Sequence, residues 1–161
     1  MIDETKLQAL CASRLAADLS EDECRILSDL VDVRDLADGE VLVRDGTADH
    51  RLHVIASGTL GIVKNVDTDV RATVATLDVG ELAGELGFID GALRQSSLVA
   101  KGSTRVLSLE REKLESLLPT HPMIVYHVMR AIIRTVHQIQ RRLSLQAVEL
   151  SNYVYKQHGR Y

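Results

Sequence analysis

The chain has 161 residues and 45% hydrophobic content, which sets an expectation of one domain with a proper core. That core must be aliphatic, since there are four Tyr, one Phe and no Trp, and a formal net charge of −4 argues against a free-standing nucleic-acid binder, which carries a basic field. Cys11 and Cys24 are too few for a disulfide scaffold or an iron–sulfur site and read as reduced, buried thiols; with no apolar leader and no run of ~18 apolar residues, a cytoplasmic protein without a transmembrane segment is expected.

Leu7, Leu10, Leu15 and Leu19 recur at roughly helical spacing and predict a helix over Lys6–Leu19. Ser20 followed by Glu23 forms a capping box that opens a second helix to about Val31. From Val33 to Leu109 the pattern changes to short β-rich segments. The clearest are 41–43, 52–55, 60–63, 74–77 and 106–109, rich in Val, Ile and Leu. Eight of the ten glycines lie between positions 39 and 91, so tight turns concentrate there, and a sandwich, roll or barrel is expected. Glu110–Leu118 reads as a short helix stopped by Pro119. Thr120 then caps a helix with Pro122 in its first turn, and that helix runs to about Tyr155.

The long helix carries a heptad stripe of Val125, Met129, Ile132, Val136, Ile139, Leu143 and Leu150, broken by Gln146. Ile124, Val128 and Ala131 form a second stripe that can face the β-rich region. A helix this long outruns a small domain, so it is expected to pack on its own roll first and then pair with a second copy as a homodimer. Arg130, Arg134, Arg141 and Arg142 make a basic stretch that reads mainly as a solvated face, with contact to a partner or a membrane as the other reading.

The stretch from Leu77 to Ala100 looks like an anion site. Gly84, Glu85 and Leu86 open a short helix after a strand, where free backbone N–H groups are on offer. Arg94 supplies a guanidinium suited to bidentate contact with a phosphate, and Ser96 and Ser97 add hydroxyls. A carboxylate at Glu85 would repel a bare phosphate; it fits a ligand that also presents a hydroxyl, as a ribose does. His50 and His53 lack the H-x-H spacing and following Glu of a cupin metal site, so no metal is expected.

This segment resembles the phosphate-binding cassette of the cyclic nucleotide-binding domain family, as found in catabolite activator and protein kinase A regulatory-subunit proteins. The family pattern, approximately F-G-E, a short helix and R-x-A/S-S/T-x-x-A, meets Ala83-Gly84-Glu85 and Arg94-Gln95-Ser96-Ser97-Leu98-Val99-Ala100 here. Upstream, residues 36–42 match the family's opening strand, and Asp45-Gly46 and 54–58 match its next two turns. Of two Gly-Glu-Leu triplets, Glu85 stands nine residues before Arg94 and Glu81 thirteen, and the family spacing selects Glu85.

The resemblance implies an α+β fold: a double-stranded, jelly-roll-like β-roll over 33–109 with the cassette at 84–100, N-terminal helices over 1–32, and C-terminal helices over 110–155 serving as lid and dimerisation element. It implies a non-enzymatic regulatory module. Glu85 would take the ribose 2′-hydroxyl, and Arg94 the cyclic phosphate, with Ser96 and the N–H groups of Gly84, Glu85 and Leu86. The base lid would come from Thr135, Ile139 and Gln140. Ala83 departs from the family's Phe. Gln95 stands where cGMP-selective members often carry Thr, which favours cAMP over cGMP. Only six residues follow Tyr155, too few for a helix-turn-helix, so an unidentified protein partner or the dimer, not DNA, is the expected output. The competing reading is a structural dimerisation module whose pocket is unused.

Overall fold

The computed structural model describes residues 3–67 and 70–158. Helix α1 (Glu4–Cys11) is followed by a 3-10 turn (Arg14–Ala16) and α2 (Glu21–Ser28). Eight strands follow: β1 (Asp32–Leu36), β2 (Val41–Val43), β3 (Arg51–Ser57), β4 (Leu60–Asp67), β5 (Val70–Leu77), β6 (Leu82–Ala83), β7 (Ser97–Ala100) and β8 (Thr104–Glu110). Helix α3 (Glu85–Asp90) lies between β6 and β7, and α4 (Arg111–Glu115) and α5 (Pro122–His158) close the chain. The strands form two antiparallel sheets, ordered β1-β8-β3-β6 and β2-β7-β4-β5. This is the β-roll expected from the sequence, flanked by helices on both sides in the chain.

The sheet containing β3 and β8 is a middle layer with both faces covered. Leu52, Val54, Leu107 and Leu109 pack in a cluster with Leu10, Leu27, Ile124, Val128 and Ile132 of the helices. Ile55 and Val106 point the other way, into a second cluster with Leu42, Leu60, Leu98 and Ala100 between the sheets. Burial on both faces explains why the centre of β3 reads as a run and not as an alternation. By the same period of two, His53 and Ser108, which stand opposite each other in the β3–β8 register, share the inner face.

The local details correct several expectations. The predicted first helix breaks early: the Ser13 hydroxyl donates to the Leu10 carbonyl at 2.6 Å and the chain turns into the short 3-10 segment. Ser20 caps α2, with its Oγ accepting from the Glu23 N–H at 3.2 Å. The Glu23 carboxylate itself meets His127 Nδ1 at 3.4 Å, tying α2 to α5. Residues 36–42, read as one strand, are the end of β1, a turn at Gly39 and the start of β2. Cys24 is buried, but Cys11 is exposed; burial, with Cys11 adding to the effect, pushes the Cys24 thiol up to about 12.

Helix α5 divides in two. Ile124, Val128, Ala131, Ile132 and Thr135 are buried against the roll, and Val125 and Met129 pack beside them. From His137 to Gln157 every residue is exposed. Ile132 was expected in a seam between two copies; it belongs instead to the chain's own core and is 0% exposed. Asp18, beyond the 3-10 turn, meets Arg134 at 3.0 Å and Arg130 at 3.8 Å, so half of the basic stretch is paired at home. Arg141 and Arg142 are exposed.

Candidate ligand-binding site

The β6–α3 junction needs a residue that turns left-handed and leaves room beside it. Gly84 has φ +82°, and a Cβ there would stand 2.6 Å from an Arg94 guanidinium nitrogen. At Gly87, one turn into α3, a Cβ would stand 2.9 Å from the same group. The two glycines thus make the slot in which the Arg94 side chain lies, and only the absence of side chains lets it lie there.

Arg94 is 9% exposed. One terminal nitrogen donates to the Gly84 carbonyl at 2.6 Å. The other donates to the carbonyls of Asp49 at 2.7 Å and Arg51 at 2.8 Å, at the start of β3. The Asp49 carboxylate stands 3.7 Å from that second nitrogen. Arg94 Nε–H is buried and, among the described residues, has no acceptor. A buried cation with one donor unpaired is short of a partner, and a guanidinium is a group suited to an anion.

Arg94 helps line a cavity of ≈ 290 Å³ between the cassette and the roll, near the lower end of the ~300–1,000 Å³ typical of small-molecule sites. Ile62, Leu77, Leu82 and Leu98 give it apolar walls; Gly84, Glu85, Leu86, Gln95 and Ser96 line the cassette side; Ile139 of α5 closes over it. Burial pushes the Glu85 carboxyl above its ordinary value, against the pull of its own N–H and of Arg94. Asp90, also at the rim, is occupied by the Ala92 N–H at 2.9 Å.

Three residues of the expected site do not line this cavity. Ser97 Oγ accepts from the Asp45 N–H at 3.0 Å and pins the β2–β3 turn. Thr135 is buried and donates to the Ala131 carbonyl at 3.1 Å, a bond within its own helix. Gln140 is exposed on α5. Sequence reasoning missed the supports behind Arg94. His53 Nε2 bonds Asp49 Oδ2 at 3.0 Å and His53 Nδ1 bonds Ser108 Oγ at 2.8 Å. Their spacing in the chain gives no sign of this, because the β3–β8 register makes the contact. No group of three or more His, Cys, Asp or Glu among the described residues is placed to hold a metal ion.

Burial holds the His53 imidazole below its ordinary value; Arg94 and Arg51 add to the effect, and the Asp49 hydrogen bond opposes it. The sign follows from linkage. Below about pH 6.5 the unfolded imidazole takes up a proton that the folded one resists, so stability falls as pH drops through that window. Urea denaturation of wild type and His53→Gln between about pH 5 and 8 is expected to show a flatter profile for the variant. Parallel profiles would mean that His53 titrates alike in both states.

A protein-family model described as the cyclic nucleotide-binding domain matches residues 33–121. Among solved structures, a cyclic nucleotide-binding domain from Methylobacillus flagellatus superposes with a TM-score of 0.75 at 25% identity, over 86% of this chain and 78% of that one. The cyclic AMP receptor protein of Thermus thermophilus is 27% identical over 69% of this chain and 51% of its own length. The neuropathy target esterase sws of Drosophila virilis is 24% identical over 88% of this chain, but over only 10% of its own length. The chain therefore spans about half or less of the length of these curated relatives. The model match, the two-sheet roll and the cassette around Arg94 agree: the chain belongs to the cyclic nucleotide-binding domain family.

Proposed function

We propose that the protein binds a cyclic nucleotide, cAMP in preference to cGMP, in the cavity between the cassette and Ile139, and signals occupancy through α5. The observation that carries this reading is Arg94: a buried cation on the wall of a cavity of suitable size, with its Nε–H free among the described residues. In this reading Arg94 and Ser96 take the cyclic phosphate, with the N–H groups at the start of α3, and Glu85 accepts from the ribose 2′-hydroxyl. Gln95 stands beside them without the hydroxyl of a Thr. This part of the protein then has a binding role and no catalytic one, consistent with the family. The relative from Thermus thermophilus is named for cyclic AMP, which supports the choice of nucleotide.

Ile139 belongs both to the cavity and to the exposed half of α5. A ligand that touches it can bias the position or order of that helix, to the extent that it prefers one state. The readout would be a second copy of the chain paired along Val136, Ile139, Leu143 and Leu150, or another protein partner. The competing reading, a dimerisation module with an unused pocket, draws on the three carbonyls that already take hydrogens from Arg94.

Calorimetry with cAMP, cGMP and AMP separates the two readings. Saturable heat with a cyclic nucleotide supports the sensor, and silence with all three supports the unused pocket. Glu85→Gln is expected to weaken binding of cAMP more than of its 2′-deoxy analogue, since the analogue offers no hydroxyl to the carboxylate. Loss of a hydrogen bond to a charged group corresponds to about tenfold or more. Equal losses for the two ligands would assign Glu85 another role.

A further inference from the structure

The inner face of β3 and β8 carries polar side chains in an otherwise aliphatic interior. His53 is 1% exposed and Ser108 5% exposed, on strands whose neighbouring residues Leu52, Val54, Ile55, Leu107 and Leu109 are all buried aliphatics. Buried polar groups destabilise a core unless paired, so this pair needs a reason. The hydrogen bonds supply a direction. A carboxylate only accepts, so His53 Nε2 carries the hydrogen toward Asp49 Oδ2 at 3.0 Å. With burial holding the ring neutral, Nδ1 then accepts from the Ser108 hydroxyl at 2.8 Å.

Asp49 is held at both ends. Its Oδ1 accepts from the Arg51 N–H at 3.0 Å, its Oδ2 from His53, and its own main-chain carbonyl accepts from Arg94 at 2.7 Å. Burial works against the Asp49 carboxylate, but the bonds from His53 and Arg51 and the nearby charge of Arg94 outweigh it and keep it ionised. The same Oδ2 that takes the His53 hydrogen faces the Arg94 guanidinium at 3.7 Å. The sequence Ser108, His53, Asp49, Arg94 is therefore a continuous chain from the centre of the roll to the wall of the cavity.

We propose that His53 is a positioning residue of the ligand site: it fixes the rotamer of Asp49, and the Asp49 carboxylate, together with the three carbonyls that bind Arg94, sets the guanidinium where it can meet an anionic ligand. This rests on the reading of Arg94 as the phosphate-binding cation. The groups facing His53 are Asp49 before β3, Arg51 on its own strand, Ser108 on β8 and Arg94 from the cassette. None of them supplies a second donor to Asp49 Oδ2 as close as the imidazole: the Arg94 contact is 0.7 Å longer, as 3.7 and 3.0 Å show. Without His53, Oδ2 loses its only close donor among the described residues and Asp49 keeps just the Arg51 N–H on Oδ1, so the carboxylate can swing about that bond toward the open groove that it also lines, beside Arg44 and Thr47.

The test compares two replacements of His53 in the full chain. His53→Gln keeps an N–H near the place of Nε2; His53→Leu keeps bulk and removes the donor. A role in packing alone favours Leu. Positioning favours Gln, with cAMP binding within about threefold of wild type, and about tenfold weaker binding for Leu, the scale of one hydrogen bond to a charged group. In an Asp49→Asn background the difference between the two should shrink, since the proposed route runs through that carboxylate. Equal affinities of the Gln and Leu variants, or an undiminished difference in the Asn background, would overturn the proposal.

A measurement without nucleotide keeps this separable from the reading of the site. Nitrogen NMR of the free protein is expected to show slow rotation of the Arg94 guanidinium, identified by its loss in Arg94→Lys, in wild type and His53→Gln, and measurably faster rotation in His53→Leu, where only the three carbonyl bonds restrain it. A guanidinium equally restrained in all three refutes the positioning role. If wild type gives no heat with any cyclic nucleotide while the rotation changes as expected, the positioning stands and the nucleotide reading falls.

Discussion

Arg94→Ala is expected to weaken cyclic nucleotide binding strongly while leaving the roll folded. A buried phosphate that loses its cationic partner is left uncompensated, at a cost of about 2–5 kcal/mol, or roughly 30-fold to several-thousand-fold in affinity. The structure sharpens the expectation in two ways. Gly84 and Gly87 leave a slot that fits this side chain, so alanine leaves a gap that no neighbour fills. The carbonyls of Gly84, Asp49 and Arg51 lose a shared donor, so the cassette also loses its tie to the start of β3. Arg94→Lys separates these effects, since it keeps the charge without the planar fork and should fall between alanine and wild type. Calorimetry reads the affinities and circular dichroism the fold. Unchanged affinity in a folded alanine variant would remove Arg94 from the site.

Replacements along α5 are expected to divide at His137. Ile132→Ala should destabilise the protein by about 2–5 kcal/mol, as for other large-to-small changes at fully buried positions. Ile132 sits at 0% exposure among Leu10, Phe88, Ile124 and Val128 in the larger core cluster. Leu143→Asp with Leu150→Asp, at 60% and 65% exposure, removes no packing inside one chain. These two should leave the unfolding free energy of a dilute sample within about 0.5 kcal/mol of wild type. The same pair should shift light scattering from dimer to monomer, because a two-fold interface meets each charge with its own copy. A double variant that remains dimeric places the contact elsewhere and leaves α5 as a lid.

Much of the architecture was legible because its signals are local. The centres of β2, β3, β4, β5 and β8 are aliphatic or β-branched runs bounded by turn residues, and each was located within a strand. Strand β1 was not singled out, since it reads Asp-Val-Arg-Asp-Leu with four of its five residues exposed; its pairing with β8 is an edge contact aided by Arg105 and Asp35 at 2.6 Å. The end of α1 was illegible because neither Gly nor Pro marks it. The stripes of α5 were visible, but a stripe does not say what covers it, and Ile132 falls where the two stripes meet.

The cassette was legible through resemblance, which located Glu85 and Arg94 by spacing. The lid was harder, because its contacts depend on the angle at which α5 crosses the roll: Ile139 reaches the cavity while Thr135 and Gln140 do not. Asp49 and His53 were opaque for a different reason. Their meaning lies in a cross-strand register and in a bend that returns the chain to the cassette, and neither leaves a mark in local composition.

The uncovered half of α5 has a kinetic consequence. From His137 to Gln157 every residue is exposed and, beyond Gln138 and Ile139, the amide hydrogens are guarded by the helix itself; isolated helices in water are marginal even at about 15 residues. Ser144, Val148, Ser151, Asn152 and Val154 lower its intrinsic preference for helix further. The segment can therefore fray and re-form many times during one lifetime of the folded roll, exchanging its amides through local opening alone. Its lifetime as a helix is thus decoupled from the stability of the domain that carries it, and whatever covers it sets that lifetime without having to move the core.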